Sequence, residues 1–293
     1  MRQFLLNLRI KTNIPNTYSD YMIDVSIIFV SYNTKDLTLS CIKSVINYSQ
    51  NLNCEIIVVD NASTDGSVEI IKRSLKGVRS KFIRNKKNLG FSKANNQGIR
   101  IAKGKYILLL NSDVKVKSGS IKKLIQFAEK TPDAGAVVPR LLNPDDSLQA
   151  SVFRFPGVIR AIKQYWLGKK NLLDKYVPVT RGLKPKEVES AVMAAFLITP
   201  KALNKVGLLD ERYFMYFEDI DYCRRIARAG LKIYYLPEAE VYHVHGASGK
   251  GLVDDKNQWK RLIPSSKIYH GLLRHYLISF IIASSQKWRE LRY

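Results

Sequence analysis

Four nearly unbroken apolar runs of strand length constrain this chain more than any other feature. They are residues 25–31 (VSIIFVS), 55–60 (EIIVVD), 106–110 (YILLL) and 191–199 (AVMAAFLIT). A strand with one wet face alternates apolar and polar residues, whereas a strand covered on both faces reads as a continuous run. Between the first three runs lie stretches with a helical face. In 36–48, for example, apolar residues recur at 37, 41, 42, 45 and 46, and 90–102 carries a second such pattern. A shorter strand is expected at 81–84. Strand–helix alternation of this kind predicts an α/β fold built on a Rossmann-like, mainly parallel sheet flanked by helices.

In such sheets ligands bind beyond the carboxyl ends of the strands. Polar residues crowd three of those ends: Ser31-Tyr32-Asn33, Asp60-Asn61 and Asn111-Ser112-Asp113. Each cluster alone also reads as a turn, because Asn, Asp and Ser satisfy loop backbone groups. Three at equivalent ends favour a shared pocket.

Beyond Asp113 the alternation loosens. A helix is expected over 117–130 and a strand over 136–139. Residues 143–187, rich in Lys, Pro and Gly, read as an irregular insertion. A short helix at 201–206 follows the fourth apolar run. An aromatic and acidic segment, 210–221, then leads into a helix that begins near Asp221 and runs to Ala229, with Asp221 as its N-cap. Closing strands are expected at 233–236 and 239–243. A last helical stripe, with apolar residues at 268, 269, 272, 273, 276, 277 and 280, spans 268–283.

Three groups of residues could carry chemistry. Asp113 follows an apolar strand, where a carboxylate suits a hard divalent cation set against a diphosphate; the plain alternative is a turn aspartate. Glu218-Asp219 follows the rings of Tyr213, Phe214, Tyr216 and Phe217. Partial desolvation there raises basicity and suits a general base, while helix capping is the structural alternative. His243 and His245 share one face of an extended segment, since strand side chains repeat every second residue. Metal ligation or diphosphate contact competes there with an ordinary pair of surface histidines.

Composition narrows the surroundings. Forty-eight Lys and Arg against 25 Asp and Glu leave a formal charge of +23, which favours anionic partners without choosing among nucleic acid, acidic lipid and phosphorylated small molecules. Three cysteines, Cys41, Cys54 and Cys223, with no CxxC spacing, argue against a disulfide framework or thiolate metal site and suit a cytoplasmic protein. No secretory signal is read in the first residues, where only a short apolar run precedes Arg9. No segment reaches the roughly 18–20 apolar residues of a membrane span; residues 272–283 come nearest and are broken by Arg274 and His275.

Taken together, the motifs resemble family-2 glycosyltransferases of the GT-A fold, in particular their rhamnosyltransferase-like, non-processive branch. The matching pieces are VSYN at 30–33, VVDNASTDGS at 58–67, NLGFSKANNQG at 88–98, LLNSD at 109–113, FMYFEDIDYCRR at 214–225 and HxxGxS at 243–248. The resemblance implies a GT-A domain over 24–250, with a nucleotide-binding half (24–115) and an acceptor half (116–250). Residues 1–23 would be an N-terminal extension and 251–293 a basic, amphipathic C-terminal helical extension. Processive members of the broader family usually carry membrane spans and a QxxRW motif. Here Gln258-Trp-Lys-Arg261 is followed by Leu262, so one sugar per encounter is expected.

The resemblance further implies roles at matched positions. Tyr32 would stack on a nucleotide base and Asp60 would hydrogen-bond to it, with Asn33, Asn61, Asn111 and Ser112 around the nucleotide. Asp113 corresponds to the last acid of the DxD motif and, with His243, would bind Mn2+ or Mg2+ on the donor diphosphate. The first acid of that motif is replaced by Asn111, an uncharged ligand. His245 and Ser248 would contact the diphosphate. Asp219 matches the catalytic base, supported by Glu218. The implied reaction is an inverting, metal-dependent transfer of one sugar from a nucleoside diphosphate sugar, with dTDP-rhamnose suggested by the branch. The acceptor would be a glycan or a polyprenyl-diphosphate-linked glycan in cell-surface polysaccharide synthesis. Such an enzyme is expected in the cytoplasm, peripheral on the inner face of the cell membrane. The helical stripe would lie on anionic lipid, or else pack on the domain.

Two rival readings remain at the level of sequence. A nucleotidyltransferase would need a Gly-rich basic loop after the first strand, and 31–36 has neither Gly nor Arg. A basic nucleic-acid-binding module explains the charge but not acids and histidines at strand ends, and no recognition motif for it is present.

Overall fold

The computed structural model describes residues 23–49, 52–244 and 258–291. Almost all of the expected N-terminal extension, together with His245 and Ser248, lies outside these residues.

The first half alternates as expected: β1 (Val25–Ser31), α1 (Lys35–Tyr48), β2 (Cys54–Asp60), α2 (Ser67–Ser74), β3 (Ser80–Arg84), α3 (Phe91–Ile101) and β4 (Tyr106–Asn111). There follow β5 (Val114–Val116), α4 (Ser120–Lys130), β6 (Ala134–Leu142), β7 (Val152–Phe153), α5 (Val158–Tyr165), β8 (Lys186–Val188) and β9 (Ser190–Ala191). The chain continues through β10 (Ala195–Ile198), α6 (Pro200–Val206), α7 (Glu218–Arg228), β11 (Lys232–His243), α8 (Gln258–His270) and α9 (Leu272–Glu290).

One nine-stranded sheet runs in the order β3-β2-β1-β4-β10-β6-β11-β5, with β8 added on β11. The strands β3, β2, β1 and β4 are parallel, and β6 and β11 share their direction because β10 opposes both β4 and β6. The sheet is therefore mainly parallel, with β10, β5 and β8 reversed. The period-two alternation inside each apolar run sends Ile27, Phe29, Ile56, Val58 and Leu108 to one core, against Ile42 of α1 and Ile71 of α2. The intervening Ile28, Ile57, Ile107 and Leu109 enter a second core with Tyr222 and Ile226 of α7. Both faces are thus covered, which explains the unbroken runs. From β1 the chain goes outward to β2 and β3, then returns to place β4 on the other side of β1. That reversal opens a crevice at the strand ends, where ligands bind in open α/β sheets.

Several expectations are corrected. The insertion at 143–187 is not wholly irregular: it contains β7 and the helix α5. The run at 191–199 is not one strand, since β9 pairs with β7 in a separate two-stranded sheet and only β10 joins the main sheet. The two closing strands are one, β11, with a register shift between Leu236 and Glu240. Helix α7 begins at Glu218, so Asp221 is not its cap; its carboxylate instead accepts from Arg225 Nε at 2.8 Å, one turn on. The C-terminal stripe is broken at Gly271, whose φ of +76° ends α8 and starts α9.

Candidate active site

A cleft of about 650 Å³ opens at the carboxyl ends of β1 and β4. Tyr32 and Asn111 to Asp113 line it from those strand ends, His243 from the end of β11, and Glu218 and Asp219 from the start of α7. Residues far apart in sequence meet there because β11 and α7 pack beside the parallel half.

Asp113 and His243 form the closest pair of candidate ligands. Asp113 is buried, and its Oδ1 lies 3.4 Å from His243 Nε2. The other ring nitrogen, Nδ1, is 2.6 Å from Gln149 Oε1. The Gln149 amide is oriented by its own donors, since Nε2 bonds to Asn143 Oδ1 at 2.8 Å and to the His243 carbonyl at 3.1 Å. Its Oε1 must therefore accept from Nδ1–H. In the neutral imidazole this leaves the Nε2 lone pair facing a carboxylate oxygen. A cation placed between that lone pair and the carboxylate oxygen would be held by both. The set suits a divalent cation: one carboxylate, one imidazole with an oriented tautomer, and the Asn111 amide nearby in the same cleft. Among the described residues, no cluster of three or more His, Cys, Asp or Glu forms a metal site.

The paired carboxylates stand on a constrained turn. Tyr216 and Phe217 both have positive φ, 69° and 66°, a left-handed conformation that non-glycine residues seldom adopt. Four contacts hold it. Phe91 N donates to the Phe214 carbonyl at 2.7 Å. Gly90 packs so closely that a Cβ there would lie 2.5 Å from the same oxygen. From behind, Ser265 of α8 donates to the Met215 carbonyl at 2.8 Å, while the ring of Tyr269 packs 5.4 Å from that of Phe217. Burial pushes the Asp219 carboxyl up to about 6, opposed by the Ile220 N–H it accepts from at 2.8 Å and by the charge of Lys175. Burial and the neighbouring Asp219 push Glu218 well above the ordinary carboxylate range. Glu218 Oε2 has no hydrogen-bond partner among the described residues.

The remaining candidates divide. Tyr32, Asn61, Asn111 and Ser112 line the cleft together with Asp113, His243, Glu218 and Asp219. Asn61 also braces the loop before α3, its amide donating to Asn88 Oδ1 and the Gly90 carbonyl and accepting from Leu89 N. Asn33 and Asp60 do not line the cleft. Asn33 is turned to the neighbouring loop, where its Oδ1 accepts from Thr64 N at 2.8 Å. Asp60 is fully buried and its Oδ1 accepts from Ser63 N at 3.0 Å. Asn33 thereby braces the loops after β1 and β2 against each other, whereas the Asp60 bond stays within the loop after β2 and leaves Asp60 Oδ2 without a hydrogen-bond partner among the described residues. Sequence reasoning missed Gln149, Gly90, Arg154 and Lys175. Only Gly90 left a trace, inside the NLGF motif.

A mixed α/β sheet with acids and an imidazole gathered at its strand ends defines a glycosyltransferase of the GT-A kind, and comparison with known proteins agrees. Residues 26–178 match the family model Glycosyl transferase family 2, and the chain belongs to that family. It is 31% identical over 211 residues to an N-acetylglucosaminyl-diphospho-decaprenol L-rhamnosyltransferase of Mycobacterium tuberculosis, covering 67% of this chain and 68% of that protein. It is 25% identical over 226 residues to the dTDP-rhamnosyl transferase RfbF of Shigella flexneri, covering 75% and 68%. Among solved structures, TarS 1-349 of S. aureus superposes with a TM-score of 0.57 at 14% identity, over 90% of this chain and 71% of that one. GalNAc-T7, solved with UDP, GalNAc and Mn2+, gives 0.61 at 17% identity, over 76% of this chain and 43% of that one. At such identities these two likenesses concern the fold.

Proposed function

We propose that this enzyme is an inverting, metal-dependent glycosyltransferase that moves one sugar per encounter from a nucleoside diphosphate sugar to an acceptor hydroxyl. The observation that carries this reading is that Asp113, His243 and Asp219 line one cleft. Asp219, its carboxyl raised to about 6, is ionised at neutral pH yet more basic than an ordinary aspartate. It takes the proton of the acceptor hydroxyl as that oxygen attacks the anomeric carbon from the face opposite the nucleoside diphosphate. A single in-line displacement inverts the anomeric configuration. Burial and the neighbouring Asp219 raise the Glu218 carboxyl well above the ordinary carboxylate range, which disfavours a second charge beside the base. Asp113 and His243 would hold Mn2+ or Mg2+, the imidazole favouring Mn2+, and the ion would neutralise charge on the departing diphosphate. Tyr32, on the cleft wall, is the residue for stacking on the base.

The rhamnosyltransferases named above support dTDP-rhamnose as donor and a polyprenyl-diphosphate-linked glycan as acceptor, within cell-surface polysaccharide synthesis. A lipid-linked acceptor calls for work at a membrane, and the surface supports peripheral association with anionic lipid on the cytoplasmic side. Among the described residues no helix is long and apolar enough to cross a membrane. Helix α9 packs on α5, with Trp166 against Trp288 at 5.9 Å and Trp166 Nε1 donating to the Ile281 carbonyl. Its other side leaves Leu273, Tyr276, Leu277 and Phe280 exposed at helical spacing, with Ile159 and Ile162 of α5 also exposed. The +23 charge complements an anionic leaflet.

The test is a thermal-shift screen of nucleoside diphosphates and their sugars with and without Mn2+, followed by transfer assays. Stabilisation by thymidine diphosphate that depends on Mn2+ is expected. No response to any nucleotide would overturn the reading.

A further inference from the structure

Arg154 and Lys175 both line the cleft that holds Asp219, yet neither belongs to the main sheet. A β-bridge between Val152 and Tyr176 brings their two segments together, with Tyr176 N donating to the Val152 carbonyl at 2.9 Å. Each cation lies over a ring of the opposite segment: Arg154 is 5.6 Å from the centre of Tyr176, and Lys175 Nζ is 5.7 Å from that of Phe153. This reciprocal arrangement holds two long, flexible side chains beside each other.

Among the described residues, two acids stand near these cations. Glu189 is 3.5 Å from Arg154, but its carboxylate is taken by Arg160 at 2.6 and 2.9 Å and by Phe155 N at 2.8 Å. Asp219 acts on Lys175. Arg154 and Lys175 thus bring two cations to a partly desolvated wall of the cleft, where an anion is favoured. Apolar residues frame it: Pro156, Leu173 and Leu262 line the same cleft. A few residues beyond Arg154 begins α5, with its exposed Ile159 and Ile162. Cations beside apolar side chains suit a ligand with an anionic head and a hydrocarbon tail.

We propose that Arg154 and Lys175 form a second anion subsite, which takes the phosphate groups of a lipid-diphosphate-linked acceptor while the donor diphosphate sits at Asp113 and His243. This rests on the transferase reading above. It adds a residue-level basis for acceptor choice: the hydroxyl at Asp219 and the phosphates at the cation pair are the two ends of one acceptor head group.

The experiment measures binding of farnesyl diphosphate and of farnesol to the full chain, with thymidine diphosphate and Mn2+ saturating the donor site. The wild type is expected to prefer the diphosphate by about tenfold or more, as charge-assisted contacts allow. In Arg154→Gln/Lys175→Gln that preference should shrink to about twofold or less, with affinity for thymidine diphosphate unchanged. A double variant that keeps the full preference overturns the subsite. So does an equal loss of thymidine diphosphate affinity, which would assign the cations to the donor. Should the double variant not fold, a salt titration of the wild type decides: the preference must fall steeply with ionic strength, and a salt-independent preference overturns the proposal. A wild type that binds thymidine diphosphate without preferring farnesyl diphosphate removes the subsite and leaves the transferase reading standing. One that binds no nucleotide removes both.

Discussion

His243 Nδ1 stands 2.6 Å from Gln149 Oε1, and this contact sets which ring nitrogen faces Asp113. An amide from the start of the insertion thereby decides the chemistry of an imidazole at the end of β11. Replacing Gln149 by Leu removes the acceptor that orients the ring. Loss of such a second partner weakens metal binding by about 10- to 100-fold. Titration of the Gln149→Leu protein with Mn2+ should show that loss.

Asp219→Asn retains shape but cannot accept a proton at neutral pH. Turnover should fall by about 10²- to 10⁴-fold while nucleotide affinity stays near that of the wild type. Transfer assays beside nucleotide titration measure both. Near-normal transfer by the variant would show that the base lies elsewhere.

The pH dependence follows from the same carboxyl. Its folded value is about 6, above the ordinary aspartate value of about 3.9, so between those values the folded chain holds a proton that the unfolded chain has released. Stability from this group is therefore lost as pH rises from about 4 through about 6, and the loss persists above. Asp219→Asn should melt at a higher temperature than the wild type at pH 7, with the difference shrinking toward pH 4. Activity should run the other way, rising through about pH 6 as the base ionises.

Gly90 has no side chain to take part in proton transfer, yet it seats the turn that carries the carboxylates. Its φ is +83°, and an added Cβ would meet the Phe214 carbonyl oxygen at 2.5 Å. Gly90→Ala should destabilise the protein by about 2 kcal/mol or more and depress turnover, because Phe214 must shift. Chemical denaturation and transfer assays on one preparation check this.

The exposed stripe of α9 can be tested without removing the extension, which matters because Ser265 and Tyr269 of α8 support the catalytic turn. Leu273→Glu/Phe280→Glu should reduce co-sedimentation with anionic vesicles severalfold while leaving nucleotide binding unchanged. Equal sedimentation of variant and wild type would exclude this face as the lipid contact.

Much of this protein was determined by its sequence alone. Unbroken apolar runs separated by helical faces have few ways to bury themselves other than a covered, mainly parallel sheet, so β1 to β4 and their helices were legible. Asp113, Glu218-Asp219 and His243 were marked because acids and imidazoles at strand and helix ends are chemically conspicuous. Tertiary structure alone decided the rest. The bond from Gln149 to His243, the turn held by Gly90 and Ser265, and the pairing of Arg154 with Lys175 all join residues distant in sequence. Such contacts have no period, and apart from Gly90 within the NLGF motif they leave no pattern in a linear reading. Asn33 and Asp60 were marked by residue type, and only packing decided that Asn33 Oδ1 meets the loop after β2 and that Asp60 Oδ1 turns back on its own loop.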